Sequence, residues 1–243
     1  MVIKAISVTA TAVALAALTY FMGFLQDWTW KDIDSGLGPI AGGTATNLLV
    51  LAAYGFIHSL LARPAIKRQL YASVSHRAER SVYNLLAGVL LAAVMWLWTP
   101  DAATLWQVRE IPARLIQGLF VAAALTLVAS IACIDMLHFF GLRQAFGMRE
   151  PAGGLSRRGP YSVVRHPIQS SLIVMLWATP HMTVGHLTLA IALSAYSIIA
   201  TLKLEERDLD ASLGIEYEHY RLEVPALVPR LWKRRGGAEN RAS

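Results

Sequence analysis

The sequence predicts an all-α, polytopic integral membrane protein with about five transmembrane segments, the last of which forms a helical hairpin. Of the 243 residues, 55% are hydrophobic and only 16% are charged, and the mean hydropathy is +0.45. That composition is too apolar for an ordinary soluble domain. The apolar residues also come in runs close to the roughly 20 residues that a membrane-spanning helix needs. We expect residues 1–243 to form a single membrane-embedded domain.

Four apolar runs predict the first spans, at residues 2–25, 44–62, 82–98 and 115–134. The first run follows Lys4, as a signal peptide would, but it is longer than the usual apolar region of a signal peptide and no small-residue cleavage site follows it. We therefore interpret it as a span. A fifth region, residues 168–202, has two apolar stretches separated by a break at 178–185. Its first stretch is too short to cross a bilayer, so the sequence leaves open a hairpin that re-enters the face it left or one bent span.

Lysines and arginines are distributed unevenly among the loops. They concentrate between the second and third spans, after the fourth span and in the C-terminal tail, whereas the other two loops carry only Lys31, Arg109 and Arg114. The positive-inside rule therefore places both termini and the basic loops in the cytoplasm. Topology and anionic lipid headgroups account for the net charge of +6, so no nucleic-acid partner is expected. Residues 233–243 are predicted to form a disordered basic tail.

The segment Arg165-His166-Pro167 is the first candidate binding site. Pro167 has a fixed φ and no amide hydrogen, so it suits the first turn of a helix. Arg165 and His166 then lie just before that helix. The unpaired amides and the positive end of the helix dipole favour an anion there, such as a carboxylate or a phosphate.

The pair Glu205-Glu206 closes the second apolar stretch of the fifth region. If the two stretches fold back antiparallel, these carboxylates return to the membrane face where Arg165 and His166 lie. Charges at membrane depth are costly unless they hold something. One site would combine cations, an imidazole, helix amides and two carboxylates, which suits a zwitterionic ligand. The alternative is an interfacial salt-bridge cluster.

Further candidates lie at the cytoplasmic ends of the second and fourth spans. His58 is about one turn inside the end of the second span, where a lone histidine is more often a packing residue than a catalyst. Asp135 and His138 are three residues apart and are predicted to share one helical face, with Arg143 as a near partner for the carboxylate. Arginines beside a membrane pocket can bind an anion. Two arginines precede the third span, Arg77 and Arg80.

These residues resemble the pattern of a superfamily of membrane methyltransferases that includes isoprenylcysteine carboxyl methyltransferase and bacterial phospholipid methyltransferases. The shared pattern is a glycine-x-tyrosine element, an arginine-histidine-proline triplet, an embedded hairpin and a glutamate pair. Here these are Gly159 with Tyr161, Arg165-His166-Pro167, the hairpin and Glu205-Glu206. In that superfamily the region binds S-adenosylmethionine. The resemblance therefore implies this cofactor, with residues 141–232 as the cofactor-binding part.

A narrower resemblance, from about residue 44 to about residue 230, is to the bacterial methanethiol S-methyltransferases, which are similar to NnrU-type membrane proteins. It rests on His58-Ser59, Ala62-Arg63-Pro64, Lys67-Arg68, Glu79 to Tyr83, Phe140 to Gln144, Trp177 to Pro180 and Met182-Thr183-x-Gly185-His186. It implies methyl transfer to a small thiol, either methanethiol, giving dimethyl sulfide, or hydrogen sulfide. It also implies the inner membrane of a bacterium, with the active site facing the cytoplasm.

The resemblance assigns roles to the candidate residues. The implied cofactor-binding residues are Tyr161, Arg165, His166, Pro167, Gln169, Glu205 and Glu206. Many relatives have a tyrosine at the position of Gln169, which keeps hydrogen-bonding capacity but loses the aromatic face. A thiol is largely protonated at neutral pH, so a base or a cation is expected beside it. The candidates, ranked by location, are His58, then Asp135 with His138, supported by Arg77, Arg80 and Arg143.

Alternatives to this function stay open. The acceptor can instead be an isoprenylcysteine or a lipid. A sterol-type reductase would hold a nicotinamide cofactor, and the pair Glu205-Glu206 argues against it. A non-enzymatic NnrU-like accessory protein would favour a metal or haem site, and no ligand spacing indicates one. The expected partners are a small thiol and membrane lipids; no metal and no obligate protein partner are expected.

Overall fold

The computed structural model describes residues 1–35, 43–63, 66–67, 69, 74–149 and 155–230, and the predicted tail at 233–243 lies outside these residues. Five helices within these described residues are long and apolar enough to cross a membrane, which confirms the predicted class. They are α1 (Val2–Leu25), α2 (Gly43–Ala62), α3 (Glu79–Leu97), α4 (Glu110–Cys133) and the continuous helical segment Val184–Leu213.

The helices α3 and α4 begin earlier than the apolar runs predicted. Glu79 and Glu110 occupy their first turns. Carboxylates at that position stabilise a helix by interacting with the positive end of its dipole, so each helix extends beyond its apolar segment.

The closest helix packing is between α1 and α3. At Gly88 an added methyl group would lie 3.0 Å from the Cα atom of Ala14, so the two backbones are nearly in contact. Near the start of each helix, the buried Ser81 hydroxyl donates to the Ser7 hydroxyl at 2.8 Å. Small residues and a polar contact of this kind are the usual means by which helices associate in a bilayer.

The fifth region is a hairpin with arms of unequal length, and not one bent span. The first arm is α7 (Pro167–Trp177), whose 11 residues rise about 16 Å, roughly half the hydrocarbon thickness. The second arm starts as α8 (Val184–Ile199), passes through a π-helical segment (Ala200–Glu205) and ends as α9 (Glu206–Leu213).

The break between the arms lies at the end of the bundle where α1 ends and α4 begins. The Ala178 carbonyl accepts a hydrogen bond from Gln26, which follows α1, and the Pro180 carbonyl accepts one from the amide of Val108, which precedes α4. A two-stranded antiparallel sheet forms here from β1 (Thr104–Gln107) and β2 (His181–Thr183). We call this end of the molecule the far end.

Short elements cover the opposite end. They are α5 (Met136–Phe139), α6 (Leu142–Phe146), a 3₁₀ turn (Gly159–Ser162) and α10 (Ile215–Glu223). Asp135 corrects one prediction: it does not share a helical face with His138. Its φ of +69° ends the helical path after Cys133, and its carboxylate caps α5 by accepting from the His138 amide at 3.0 Å.

We expect Gly88→Ala to destabilise the protein by about 1–3 kcal/mol, because the added methyl group must push α1 and α3 apart. Gly118→Ala in α4 is the matched control, since an added methyl group there meets no atom of the described residues within 4 Å. The control should be neutral or stabilising by up to about 1 kcal/mol through helix propensity. Unfolding in detergent micelles measures both. Equal effects would contradict close packing at Gly88.

Candidate active site

The guanidinium of Arg165 joins three parts of the chain. Its Nε and Nη2 atoms donate to the carboxylate of Glu206 at 2.8–3.0 Å. Its Nη1 atom donates to the carbonyl oxygens of Arg221 and Val224. These contacts use all five N–H groups that an arginine has. The side chain of Arg165 is therefore saturated by the protein itself and links Glu206, Arg221 and Val224.

The carboxylate of Glu206 is the centre of this cluster. Besides Arg165, it contacts Nε2 of His166 at 2.7 Å and accepts from the hydroxyl of Tyr217 at 2.7 Å. The side chains of His166 and Tyr217 are buried. A buried carboxylate is stable only when its lone pairs are satisfied, and here cationic and neutral donors satisfy them.

His166 lies between the two glutamates. Its Nε2 contacts Glu206, and its Nδ1 lies 3.5 Å from a carboxylate oxygen of Glu205. Burial opposes protonation of the imidazole, but the two carboxylates outweigh burial and raise the pKa of His166 above its ordinary value. The imidazolium form is therefore stabilised in the folded protein.

The backbone that follows α10 is hydrogen-bonded to the start of α7. The amides of Arg165 and His166 donate to the carbonyls of Pro225 and Ala226 at 2.8 and 3.1 Å. The hydroxyl of Ser170 donates to the carbonyl of Leu227 at 2.7 Å. Pro167 occupies the first turn of α7, as predicted, and the side chain of His166, the residue before it, does not cap the helix. Residues 225–227 thus pack against the first turn of α7.

Glu205 and Gln169 form the accessible part of the site. The side chain of Glu205 is 45% exposed, and it accepts a hydrogen bond from Gln169 Nε2 at 2.9 Å. Burial, with the charge of Glu205 as a second cause, raises the pKa of the nearby Tyr161 hydroxyl. The seven predicted cofactor residues thus divide into a buried group and a more accessible group. The buried group is Arg165, His166, Pro167 and Glu206. The accessible group is Glu205, Gln169 and Tyr161.

The candidates after α4 form a second cluster. Asp135 pairs with Arg143, and His138 Nδ1 lies 2.9 Å from Gln144 Nε2. The His138 amide and the Arg143 guanidinium lower the pKa of Asp135, so its carboxylate is charged and engaged in structure. Arg80 donates to the His138 carbonyl at 3.1 Å.

Arg77 lies beside the turn that ends α6. Its Nη1 atom would be 3.9 Å from a methyl group added at Gly147. The structure therefore places Arg77 near the Arg143 cluster, on the same side of the molecule.

His58 lies in a third cluster, with tyrosines that sequence analysis missed. Its Nδ1 is 3.0 Å from the hydroxyl of Tyr196, and its Nε2 is 3.3 Å from the hydroxyl of Tyr83. The Tyr196 hydroxyl is also 3.0 Å from that of Ser59. Both ring nitrogens are thus within hydrogen-bonding distance of hydroxyl groups. In a neutral imidazole one nitrogen donates and the other accepts a hydrogen bond. Among the described residues, no direct hydrogen bond joins this cluster to Glu206.

A cavity of about 450 Å³ opens between α2 and the second arm of the hairpin. Its wall is mostly aliphatic, and the hydroxyls of Ser59 and Tyr196 are its polar groups. A small apolar molecule with one polar atom suits such a lining. Its lining residues are Leu48, Leu51, Ala52, Gly55, Phe56, Ser59, Ala192, Tyr196, Ile199, Ala200 and Leu204.

Comparison with known proteins places the chain in a family. The model of the NnrU protein family matches residues 48–225. Methanethiol S-methyltransferase 2 of Bradyrhizobium diazoefficiens is 39% identical over 94% of this chain and 90% of its own length. Methanethiol S-methyltransferase of Mycobacterium tuberculosis is 38% identical over 89% of this chain and 91% of its own. Methanethiol S-methyltransferase of Pseudomonas deceptionensis is 35% identical over 86% of this chain and 82% of its own length. No solved structure is significantly similar to the chain.

We expect Arg165→Lys to destabilise the protein by about 3–5 kcal/mol, because lysine cannot replace the five donors and Glu206 stays buried. Arg157→Lys is the matched control. Arg157 pairs with Glu223 at 3.2 Å, and both side chains are well exposed. A surface pair of this kind contributes about 0–1 kcal/mol. Unfolding in detergent measures both variants. A small loss for Arg165→Lys would show that the pair does not hold the site together.

The raised pKa of His166 predicts a pH-dependent contribution to stability. A group whose pKa is raised by folding stabilises the protein fully below its ordinary pKa, here 6.5, and loses that contribution as the pH rises through the raised pKa. The destabilisation caused by His166→Gln should therefore be largest at or below pH 6.5 and shrink at alkaline pH. Thermal unfolding across this range checks it. A pH-independent difference would mean that His166 stays neutral.

Proposed function

The chain belongs to the NnrU protein family, and on this basis we propose that it is a membrane methyltransferase that methylates the sulfur of methanethiol. The observation that carries the proposal is the similarity, over nearly the whole chain, to proteins named methanethiol S-methyltransferase. The clusters of charged and hydroxyl side chains at the Arg165 end of the bundle are where the proposal locates the chemistry.

The methyl donor is proposed to be S-adenosylmethionine. The residues present suit it, because the accessible site offers a carboxylate on Glu205 and an amide on Gln169, next to a helix start that the His166 side chain does not cap. When bound, S-adenosylmethionine supplies a methyl group on a positively charged sulfur. Glu205 would hold ribose hydroxyls or the amino group, and the start of α7 would favour the carboxylate.

Arg165 and Glu206 position the accessible residues and do not contact the ligand in this proposal. Their pair fixes α7 against α9, which holds Gln169 opposite Glu205. A preorganised pair of this kind lets the ligand bind without first ordering the side chains.

The thiol is proposed to approach through the cavity between α2 and the second arm of the hairpin. Its aliphatic wall removes water from the sulfur, which makes a thiolate more reactive. Tyr196 and Ser59 give the sulfur hydrogen-bond partners, and His58 is the proposed base that takes the thiol proton through Tyr196. Asp135 is already engaged with Arg143, so it supports this end of the bundle and does not act as the base.

The proposed orientation puts the Arg165 end of the bundle in the cytoplasm and the far end outside the inner membrane of a bacterium. The basic loops lie at the Arg165 end, as the positive-inside rule requires. The methyl donor is then taken from the compartment in which it is made.

The function is tested by incubating purified full-length protein with S-adenosylmethionine and methanethiol and measuring dimethyl sulfide in the headspace. The expected result is stoichiometric formation of dimethyl sulfide and S-adenosylhomocysteine. Parallel incubations with hydrogen sulfide, an isoprenylcysteine and a phospholipid define the acceptor. Methylation of one of the last two, with none of methanethiol, would contradict the proposal.

Glu205→Gln should raise the KM for S-adenosylmethionine by about 10–100-fold, the equivalent of one hydrogen bond to a charged group, and leave the KM for methanethiol unchanged. Glu218→Gln on the exposed face of α10 is the matched control and should change neither constant. A loss of methanethiol affinity alone in Glu205→Gln would place Glu205 on the acceptor side and overturn its proposed role.

A further inference from the structure

A cluster of metal-ligand side chains lies at the far end of the bundle, away from all the candidate residues above. Asp27 and Asp34 come from the segment after α1, and His181 comes from β2. Each offers one ligand atom, and these atoms all lie within 4.8 Å of one another. The two stretches are about 150 residues apart in the chain, so the fold brings the group together.

Asp34 presents an unsatisfied oxygen to this group. Its Oδ1 atom accepts a hydrogen bond from the hydroxyl of Thr183 at 2.6 Å. Its Oδ2 atom is buried and has no hydrogen-bond partner among the described residues, in a side chain that is only 12% exposed. A buried carboxylate oxygen without a donor is costly, and a bound cation removes that cost.

His181 is oriented as a metal-binding histidine is. Its Nε2 atom is 3.0 Å from the hydroxyl of Thr104 on the paired strand, which leaves Nδ1 turned toward Asp34. The distance from Nδ1 to Asp34 Oδ2 is 3.6 Å. That is too long for a hydrogen bond. It is close to the separation of about 3.4 Å between two ligands that each lie about 2.1 Å from a tetrahedral zinc ion.

The surroundings also hold excess negative charge. Asp32 lies in the same segment, and its carboxylate accepts from the amide of Asp34 at 3.1 Å. Three carboxylates therefore lie in this region beside one imidazole, and a divalent cation would offset two of their three negative charges. An imidazole nitrogen with carboxylate oxygens is a ligand set for zinc and its first-row neighbours, whereas calcium and magnesium prefer oxygen alone.

We propose that Asp27, Asp34 and His181 bind one divalent transition-metal ion, Zn²⁺ fitting best, with water completing its coordination. The ion would join the segment after α1 to the break of the hairpin and stabilise the far end of the bundle. This site is independent of the proposed methyl transfer.

The test measures Zn²⁺ binding to purified, untagged full-length protein by equilibrium dialysis, in the absence of substrates. One Zn²⁺ per chain is expected. Asp34→Asn and His181→Gln should each weaken Zn²⁺ binding at least about 100-fold. Loss of a residue that only hydrogen-bonds to a metal ligand already weakens metal binding by up to about 100-fold. Asp101→Asn is the matched control, because it removes a charge at the same end from outside the group. It should change the affinity by less than about threefold, as a screened charge does.

A second variant and a second probe keep the result decisive. Asp27 is exposed, so Asp27→Asn should fold normally and still bind Zn²⁺ more weakly than the wild type. Co²⁺ bound to wild type should show the visible absorption of a nitrogen-and-oxygen site, and His181→Gln should alter it. Equal Zn²⁺ affinity in wild type and all three ligand variants, or no binding to wild type, would overturn the proposal.

Discussion

The ion pair between Arg165 and Glu206 is the contact on which the Arg165 end of the molecule depends. It joins residues 41 positions apart, and through the remaining arginine N–H groups it also holds the chain after α10. Neither charge is tolerable in the interior without the other, so the arms of the hairpin must meet in this register. The side chains of His166 and Tyr217 also form hydrogen bonds with the carboxylate of Glu206.

The neighbouring Glu205 and Glu206 side chains face different parts of the structure, because successive residues of a helix point about 100° apart. Glu206 turns inward to Arg165, and Glu205 faces the accessible side with Gln169. The π-helical segment that ends at Glu205 sets this phase, since its wider turns rotate everything that follows relative to α8. Such segments are found frequently at functional sites. A one-residue change in helix phase here would put Glu205 in the inner position and Leu204 in the outer one.

Local patterns in the sequence predicted much of this arrangement. Apolar runs gave the spans, Pro167 marked a helix start, and the return of the hairpin implied that Glu205 and Glu206 would meet His166. The partners that depend on distant contacts could not be found this way: Tyr217 on Glu206, Tyr196 on His58, and Asp34 beside His181. Asp135 was misjudged for a local reason. An aspartate three residues before an amide it can cap is also the pattern of a new helix start, and that pattern overrode continuation of α4.

The pairing of β1 with β2 has a consequence for how the protein is made. Gln107 and His181 are partners, yet the chain between them includes α4 and the first arm of the hairpin. The sheet therefore closes only after both segments have been inserted and the break has been carried across the bilayer. Strand edges that are left unpaired can pair with the wrong partner. The sheet therefore forms only in a molecule whose hairpin has been fully inserted. The strand pairing is thus a late contact in assembly, and it lies at the end of the bundle opposite Arg165.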